Sequence, residues 1–260
     1  MSRCHGCRTI ENLRNLVGLK EEELEEGTKE FEGRIADLAA EAKRSNGPGQ
    51  IISLPGARDL LAQVREEVRP QAECCAKLQC IHFQINAGRD NDPERRAGWA
   101  IVTSGELALF TLRRATLTKR RLYPFAATKA YATKGFAASE VASAAPEVFV
   151  TADIVTKGKP DPEPYLKGAE LTSSDITKCV VFEDAPPGVL SGKRAGAKVV
   201  GLRTTHEGLK QWQNGADFVV KDLRKVSARW EGKGKAAKLF LTIDTEPKPE
   251  HIGTNGSAAH

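Results

Sequence analysis

Short apolar runs in the second part of the chain constrain its fold more than any other feature. Five runs of three to five residues lie at 99–102, 148–150, 179–182, 198–202 and 217–220. Stretches with helical character separate most of them, at 162–171, 188–195 and 209–214. Short apolar strands that alternate with helices are typical of an α/β fold with a parallel sheet. We therefore predict an α/β protein whose parallel sheet carries helices on both faces.

The first part of the chain has a helical pattern instead. Residues 9–44 alternate Glu-rich stretches with apolar side chains at helical spacing. These apolar positions are Phe31, Ile35, Leu38 and Ala39. We predict that this part of the chain is helical throughout.

A cluster of helix-breaking residues at 45–49 suggests a domain boundary. We therefore expect a helical unit at 1–48 and an α/β core at 49–245. Residues 246–260 lack an apolar pattern, and we expect them to form a disordered tail.

Composition excludes several classes of protein. With 40% hydrophobic residues the chain is too apolar to be disordered, and no apolar run approaches the roughly 20 residues of a membrane helix. The N-terminus has no apolar signal region, and six Cys in 260 residues do not make a disulfide scaffold. We expect a cytoplasmic protein with reduced thiols and no membrane partner.

Two other kinds of partner have little support in the sequence. The basic run at 113–121 could bind nucleic acid electrostatically, but no aromatic stacking platform accompanies it, so we expect no nucleic-acid partner. Most of the net charge of +5 lies in one segment, 106–127. Cys4 and Cys7 have the spacing of half a zinc site, but no second pair matches them.

Two polar motifs follow predicted strands, and a third precedes a predicted helix. Thr103 and Ser104 come directly after the first apolar run, where hydroxyls and backbone N–H groups can hold a phosphate oxygen. Lys159 lies just ahead of a helix, where its ammonium could meet an anion. An ordinary turn and a solvated lysine are the alternative interpretations of these two motifs.

Glu183 and Asp184 form the third motif, directly after the apolar run that ends at Phe182. Adjacent carboxylates repel each other unless a cation lies near them, and Mg²⁺ takes one or two carboxylates together with waters and phosphate oxygens. The alternative is that Asp184 caps the following helix.

Together the three motifs, in their order along the chain, resemble those of the haloacid dehalogenase-like phosphotransferases. Within that family the chain is most similar to the fungal glycerol-phosphate and 2-deoxyglucose-6-phosphate phosphatases. The resemblance covers most of the chain up to about Glu246. It is carried by residues 5–13, 55–61, 99–105, 149–153, 158–166 and 181–208.

The resemblance implies a role for each motif. Thr103, helped by Ser104, would bind the transferring phosphoryl group. Lys159 would be catalytic, because it would neutralise phosphate charge and steady the nucleophile. Glu183 and Asp184 would hold Mg²⁺ as the cofactor.

The helical unit at 1–48 would be a partial cap over this site. His5 and Arg8 would contact the substrate, a small phosphorylated molecule. The resemblance also implies a monomer in the cytoplasm.

The chain departs from the family pattern in three places. The family's first strand, with its Asp-x-Asp-Gly-Thr motif and nucleophilic Asp, has no counterpart before His5. Segments 64–84 and 106–127 have no equivalent in the pattern, and our hypothesis is that both are retained introns. The alternative is that both are genuine loop insertions, which surface loops tolerate. We therefore expect a Mg²⁺-dependent phosphatase of small phosphorylated polyols or sugars that is weak or inactive as written. The alternative is a non-catalytic phosphate-binding or regulatory protein of the same fold.

Overall fold

The structure is a computed structural model that describes residues 8–47, 51–64, 80–85, 100–102, 110–112, 148–172, 174–231 and 238–250. Its α-helices are α1 (Thr9–Asn12), α2 (Glu21–Ser45), α3 (Ala57–Val64), α4 (Glu163–Leu171), α5 (Pro186–Ala195) and α6 (Gly208–Gln213). A π-helical turn spans Leu13–Val17, and 3-10 turns span Ala152–Ile154, Ile176–Lys178 and Leu223–Lys225.

The strands are β1 (Ile51–Ser53), β2 (Cys80–Ile85), β3 (Ala100–Val102), β4 (Phe110–Leu112), β5 (Val148–Val150), β6 (Val180–Glu183), β7 (Lys198–Leu202), β8 (Phe218–Val220), β9 (Val226–Glu231) and β10 (Lys238–Asp244). Each of the five predicted apolar runs is a strand. β3 and β5 pair in parallel, and β6, β7 and β8 form a second parallel sheet in that order. The predicted parallel α/β architecture is confirmed.

The apolar runs are continuous because the sheet β6–β7–β8 is buried on both faces. On one face Val181, Val199 and Val219 pack with residues of α4, α5 and α6. On the other face Val200 and Leu202 join a core that contains α3 and residues of β9 and β10. Helices therefore cover both faces, as the sequence predicts.

Antiparallel pairs complete the described strands, and the sequence pattern did not predict them. β10 pairs with both β9 and β2, and β1 pairs with β4. β2 lies mostly within the segment 64–84 and β4 lies in 106–127, so apart from Val64, which ends α3, the described part of each segment is a paired strand. Most of both segments, and with them the basic run at 113–121, lies outside the described residues.

The buried face of α2 is shifted from the one that the apolar spacing suggests: of the four predicted positions Ala39 is buried, Phe31 and Ile35 are half-buried and Leu38 is exposed. The buried positions of α2 are Leu24, Thr28, Glu32, Ala36, Ala39 and Ala42. Glu32 is buried because the Thr9 hydroxyl donates a hydrogen bond to its carboxylate at 2.8 Å. The contact with α1 therefore accounts for the one acidic position on this buried face.

Among the described helices, none is both long enough and apolar enough to cross a membrane.

Candidate functional site

The carboxyl ends of β3 and β6 meet at one buried lysine. Lys159 donates a hydrogen bond to the backbone oxygen of Val102, the last residue of β3, at 3.3 Å. The same ammonium is ion-paired to Glu183 Oε1 at the end of β6. The lysine and the glutamate are only 5% and 2% exposed, so a solvated loop lysine is excluded. Two of the three predicted motifs thus converge on one point.

The loop before Lys159 is held in place by the first residue of α4. The carboxylate of Glu163 accepts hydrogen bonds from the backbone N–H groups of Thr156 and Lys157, each at 2.7 Å. It also accepts one from the Thr156 hydroxyl at 2.7 Å. These bonds hold the pKa of Glu163 below its usual value. Because the Glu163 carboxylate holds the backbone of residues 156 and 157 in place, it also fixes the direction of the chain that leads to Lys159.

Tyr165 is a member of the site that sequence reasoning missed. Its hydroxyl donates to the same Glu183 oxygen as Lys159, and the Lys159 ammonium lies 5.0 Å from the centre of its ring. Burial and the nearby Glu183 charge raise the pKa of Tyr165 well above its usual value, so the phenol keeps its proton and remains a donor. Its place on α4 is that of an ordinary core aromatic residue, and only its hydroxyl group could have indicated a role beyond packing.

Gly188 makes room for the Glu183 side chain. A Cβ atom at this position of α5 would overlap the carboxyl group of Glu183. The first turn of the helix can therefore pass directly beside the carboxylate only because it has no side chain there.

Asp184 follows β6 and is 4% exposed. Its Oδ2 lies 3.1 Å from the Thr205 hydroxyl. Its backbone oxygen lies 3.0 Å from the same hydroxyl, 3.2 Å from His206 Nδ1 and 2.6 Å from Gln211 Nε2. The N-cap of α5 is Ala185, so the interpretation of Asp184 as a helix cap is excluded.

The two adjacent carboxylates therefore have different environments. The charge of Glu183 is balanced by Lys159, while the Asp184 carboxylate lies beside a hydroxyl. Within the described ranges, no group of three or more His, Cys, Asp and Glu side chains converges as a metal cage would. An oriented buried carboxylate nevertheless suits Mg²⁺, which needs only one or two carboxylates because waters and phosphate oxygens complete its shell.

Arg8 lies against the lysine loop. Its Nη1 donates to the backbone oxygen of Thr156 at 3.1 Å, and its Nη2 is ion-paired to Glu11 at 2.7 Å. The side chain covers Gly158, where a Cβ atom would come within 2.8 Å of Arg8 Cγ. The structure thus brings Arg8 next to the residue that precedes Lys159.

The remaining predicted site residues, Thr103, Ser104 and His5, lie outside the described residues, as do Cys4 and Cys7.

Comparisons with known proteins agree with this geometry. A family profile described as "Hydrolase: haloacid dehalogenase-like hydrolase" matches residues 96–196, which include Lys159, Glu183 and Asp184. The chain is similar to 2-deoxyglucose-6-phosphate phosphatase 1 of Saccharomyces cerevisiae, with 30% identity over 230 residues that make up 86% of this chain and 73% of that protein. It is also similar to glycerol-1-phosphate phosphohydrolase 1 of the same yeast, with 36% identity over 145 residues, or 53% of this chain and 57% of that protein.

A solved structure supports the fold. CbbY from Rhodobacter sphaeroides, solved in complex with phosphate, matches 84% of this chain and 74% of its own with a TM-score of 0.51 at 16% identity. At that identity the match concerns the fold alone. The sequence relatives go further, because 2-deoxyglucose-6-phosphate phosphatase 1 is 30% identical over 73% of its own length. The chain belongs to the haloacid dehalogenase-like hydrolase family.

Proposed function

We propose that this protein acts on phosphate monoesters of small polyols or sugars, with Mg²⁺ as cofactor. The observation that carries the proposal is the buried ammonium of Lys159, fixed between the carboxyl ends of β3 and β6, each of which belongs to a parallel sheet. In α/β proteins, ligands bind outside the carboxyl ends of such strands. Phosphoryl transfer needs chiefly positioning and charge neutralisation, and a fixed lysine contributes to both.

Each residue has a role in this proposal. Lys159 neutralises charge on the phosphoryl group, and Thr103 with Ser104 binds its oxygens at the end of β3. Glu183 holds Lys159 and, together with Asp184, would hold the metal, with the Asp184 carboxylate as the direct ligand. Mg²⁺, when bound, would supply further neutralisation of charge on the phosphoryl oxygens.

Substrate recognition belongs to the N-terminal helices in this proposal. Arg8 already lies against the lysine loop, and its guanidinium is a suitable donor for phosphate or hydroxyl oxygens. We propose that Arg8 and His5 contact the substrate, and that the protein works as a cytoplasmic monomer.

We further propose that turnover by these 260 residues is weak or absent. The sequence has no Asp-x-Asp-Gly-Thr motif. Lys159 and Glu183 cannot replace an aspartyl nucleophile, because each is already bound to the other. The second candidate function, a non-catalytic phosphate-binding or regulatory protein, rests on the same absence of an Asp-x-Asp-Gly-Thr motif from this sequence.

Calorimetry with inorganic phosphate and Mg²⁺ tests the binding part of the proposal. We expect the unmodified chain to bind phosphate and the variant Lys159→Met to lose that binding. Lys157→Met is the matched control, because Lys157 lies two residues away with a side chain 72% exposed. Equal phosphate binding by Lys159→Met and by the unmodified chain would contradict the proposed site.

An activity assay separates the two candidate functions. 2-Deoxyglucose-6-phosphate and glycerol-1-phosphate are suitable substrates, with Mg²⁺ present. Binding of phosphate without release of phosphate from either ester would favour the non-catalytic protein. Clear turnover that disappears in Asp184→Ala would refute the expected inactivity and establish the phosphatase.

A further inference from the structure

Gln211 connects the proposed metal ligand to the neighbouring strand. The side-chain nitrogen of this residue of α6 donates to the backbone oxygen of Asp184 at 2.6 Å and to that of Leu202 at 3.0 Å. Leu202 is the last residue of β7, and Asp184 directly follows β6. Both neighbours are acceptors, which fixes the orientation of the amide.

A glycine of β7, Gly201, leaves the space that this contact needs. Gln211 is completely buried, and a Cβ atom at Gly201 would lie 2.7 Å from Gln211 Cβ. Gly201 is paired with Glu183 in the parallel register. The strand thus has no side chain at the point where the glutamine enters between helix and sheet.

The contact is poorly explained by stability alone. Gln211 Oε1 is buried and has no hydrogen-bond partner among the described residues. A buried polar atom without a partner costs stability, which an apolar side chain of similar size would avoid. An amide at this position is therefore better explained by the hydrogen bond that its nitrogen donates to the backbone of Asp184.

The hydrogen-bond donors around Asp184 indicate how Gln211 acts on this residue. The Thr205 hydroxyl has one proton and two possible acceptors on Asp184, the backbone oxygen at 3.0 Å and Oδ2 at 3.1 Å, and it also lies 3.0 Å from His206 Nδ1. Gln211 donates to the backbone oxygen at 2.6 Å, so this oxygen keeps a donor when the Thr205 hydroxyl donates to the carboxylate. Gln211 thus fixes the peptide that carries the Asp184 carboxylate.

We infer that Gln211 is a positioning residue that aims the Asp184 carboxylate at a divalent cation. The inference rests on the proposed function, in which Asp184 is the direct metal ligand. Residues that orient metal ligands change metal affinity by roughly 10- to 100-fold when they are replaced.

Calorimetric titration of the full chain with Mg²⁺ tests this inference. We expect Gln211→Leu to weaken Mg²⁺ binding by about tenfold or more. Gln213→Leu is the matched control, because it makes the same change at an exposed position of the same helix and should leave the affinity unchanged. Gln211→Asn, whose shorter side chain cannot reach the same backbone oxygen, gives a second measurement if the leucine variant does not fold.

A second titration, with inorganic phosphate in the absence of metal, separates positioning from general damage. Lys159 would bind phosphate without Asp184, so we expect Gln211→Leu to leave this affinity unchanged. Equal Mg²⁺ affinities in Gln211→Leu and the unmodified chain would overturn the inference while leaving the proposed function intact. Parallel losses of phosphate and Mg²⁺ binding would also overturn it, because they indicate a structural role. No Mg²⁺ binding by the unmodified chain would refute the metal site itself, and the inference with it.

Discussion

The pair Lys159–Glu183 at the end of β6 and the pair Lys225–Asp244 at the end of β10 contain the same two chemical groups. In the first pair the side chains are 4% and 2% exposed, and in the second they are 43% and 31% exposed at an N–O distance of 2.7 Å. Water screens the second pair, so its ions could separate at little cost. In the first pair each ion depends on the other, because neither has water to replace its partner. Burial therefore distinguishes the candidate site from a surface ion pair.

The largest effect should follow from removing the buried carboxylate charge. Glu183→Gln keeps the shape of the side chain but leaves the Lys159 ammonium buried without a counter-ion. Breaking a buried pair in this way costs about 3–5 kcal/mol, which we expect as the loss in free energy of unfolding. Urea denaturation measures it, and a loss below about 1 kcal/mol would show that water already reaches the pair.

The next effect concerns the third member of the buried cluster. Tyr165→Phe removes one hydrogen bond to a charged oxygen while keeping the ring beside Lys159. We expect the free energy of unfolding to fall by about 2 kcal/mol, since hydrogen bonds to charged groups contribute about 1.5–3 kcal/mol. Unchanged stability, measured by the same denaturation, would mean that the hydroxyl is not needed to hold Glu183.

A smaller effect should appear at acid pH, through the carboxylate that fastens the lysine loop. The pKa of Glu163 is lowered by hydrogen bonds from Thr156 and Lys157. The unfolded chain therefore binds this proton first as the pH falls, so the stabilisation is present above about pH 4.5 and is lost as the pH drops through the folded-state pKa.

Acid unfolding of Glu163→Gln should accordingly depend less on pH than that of the unmodified chain below about pH 4.5. Glu170→Gln is the control, because Glu170 lies on the same helix and its carboxylate accepts hydrogen bonds from Lys167 of that helix. Identical acid profiles for Glu163→Gln and the unmodified chain would count against the fastening role.

The smallest effect is expected at the exposed pair. Asp244→Asn removes the charge partner of Lys225, and the hydrogen bond that raises the pKa of this lysine is weakened. We expect no measurable change in unfolding at moderate salt, because solvent replaces the partner. A loss comparable to that of Glu183→Gln would remove the distinction between the two pairs.

The sequence predicted the parallel strands well because burial on both faces leaves a continuous apolar run such as 198–202. It also predicted Lys159 and Glu183 as site residues from their places next to a helix and a strand, and the structure brings these two side chains together. The antiparallel pairing of β10 with β2 was not predicted, because it joins residues about 160 positions apart with no local signal.

Tyr165 and Gln211 were missed for a related reason. Each lies on a short helix with ordinary spacing, and its polar contact is with a residue 18 or 27 positions away. The buried face of α2 was misjudged because Glu32 is polar in sequence yet buried in the fold, where Thr9 bonds to it. In each case the decisive contact is tertiary, and a local pattern does not record it.

The contact of Arg8 with Gly158 has a consequence for how this protein could be observed. The guanidinium bonds to Thr156 and covers Gly158, so the N-terminal helices touch the chain just before the buried lysine. A movement of those helices would change the surroundings of residues 156–158. A fluorophore attached at the exposed side chain of Lys157 would then report that movement as a change in emission, from a position that itself takes no part in the buried cluster.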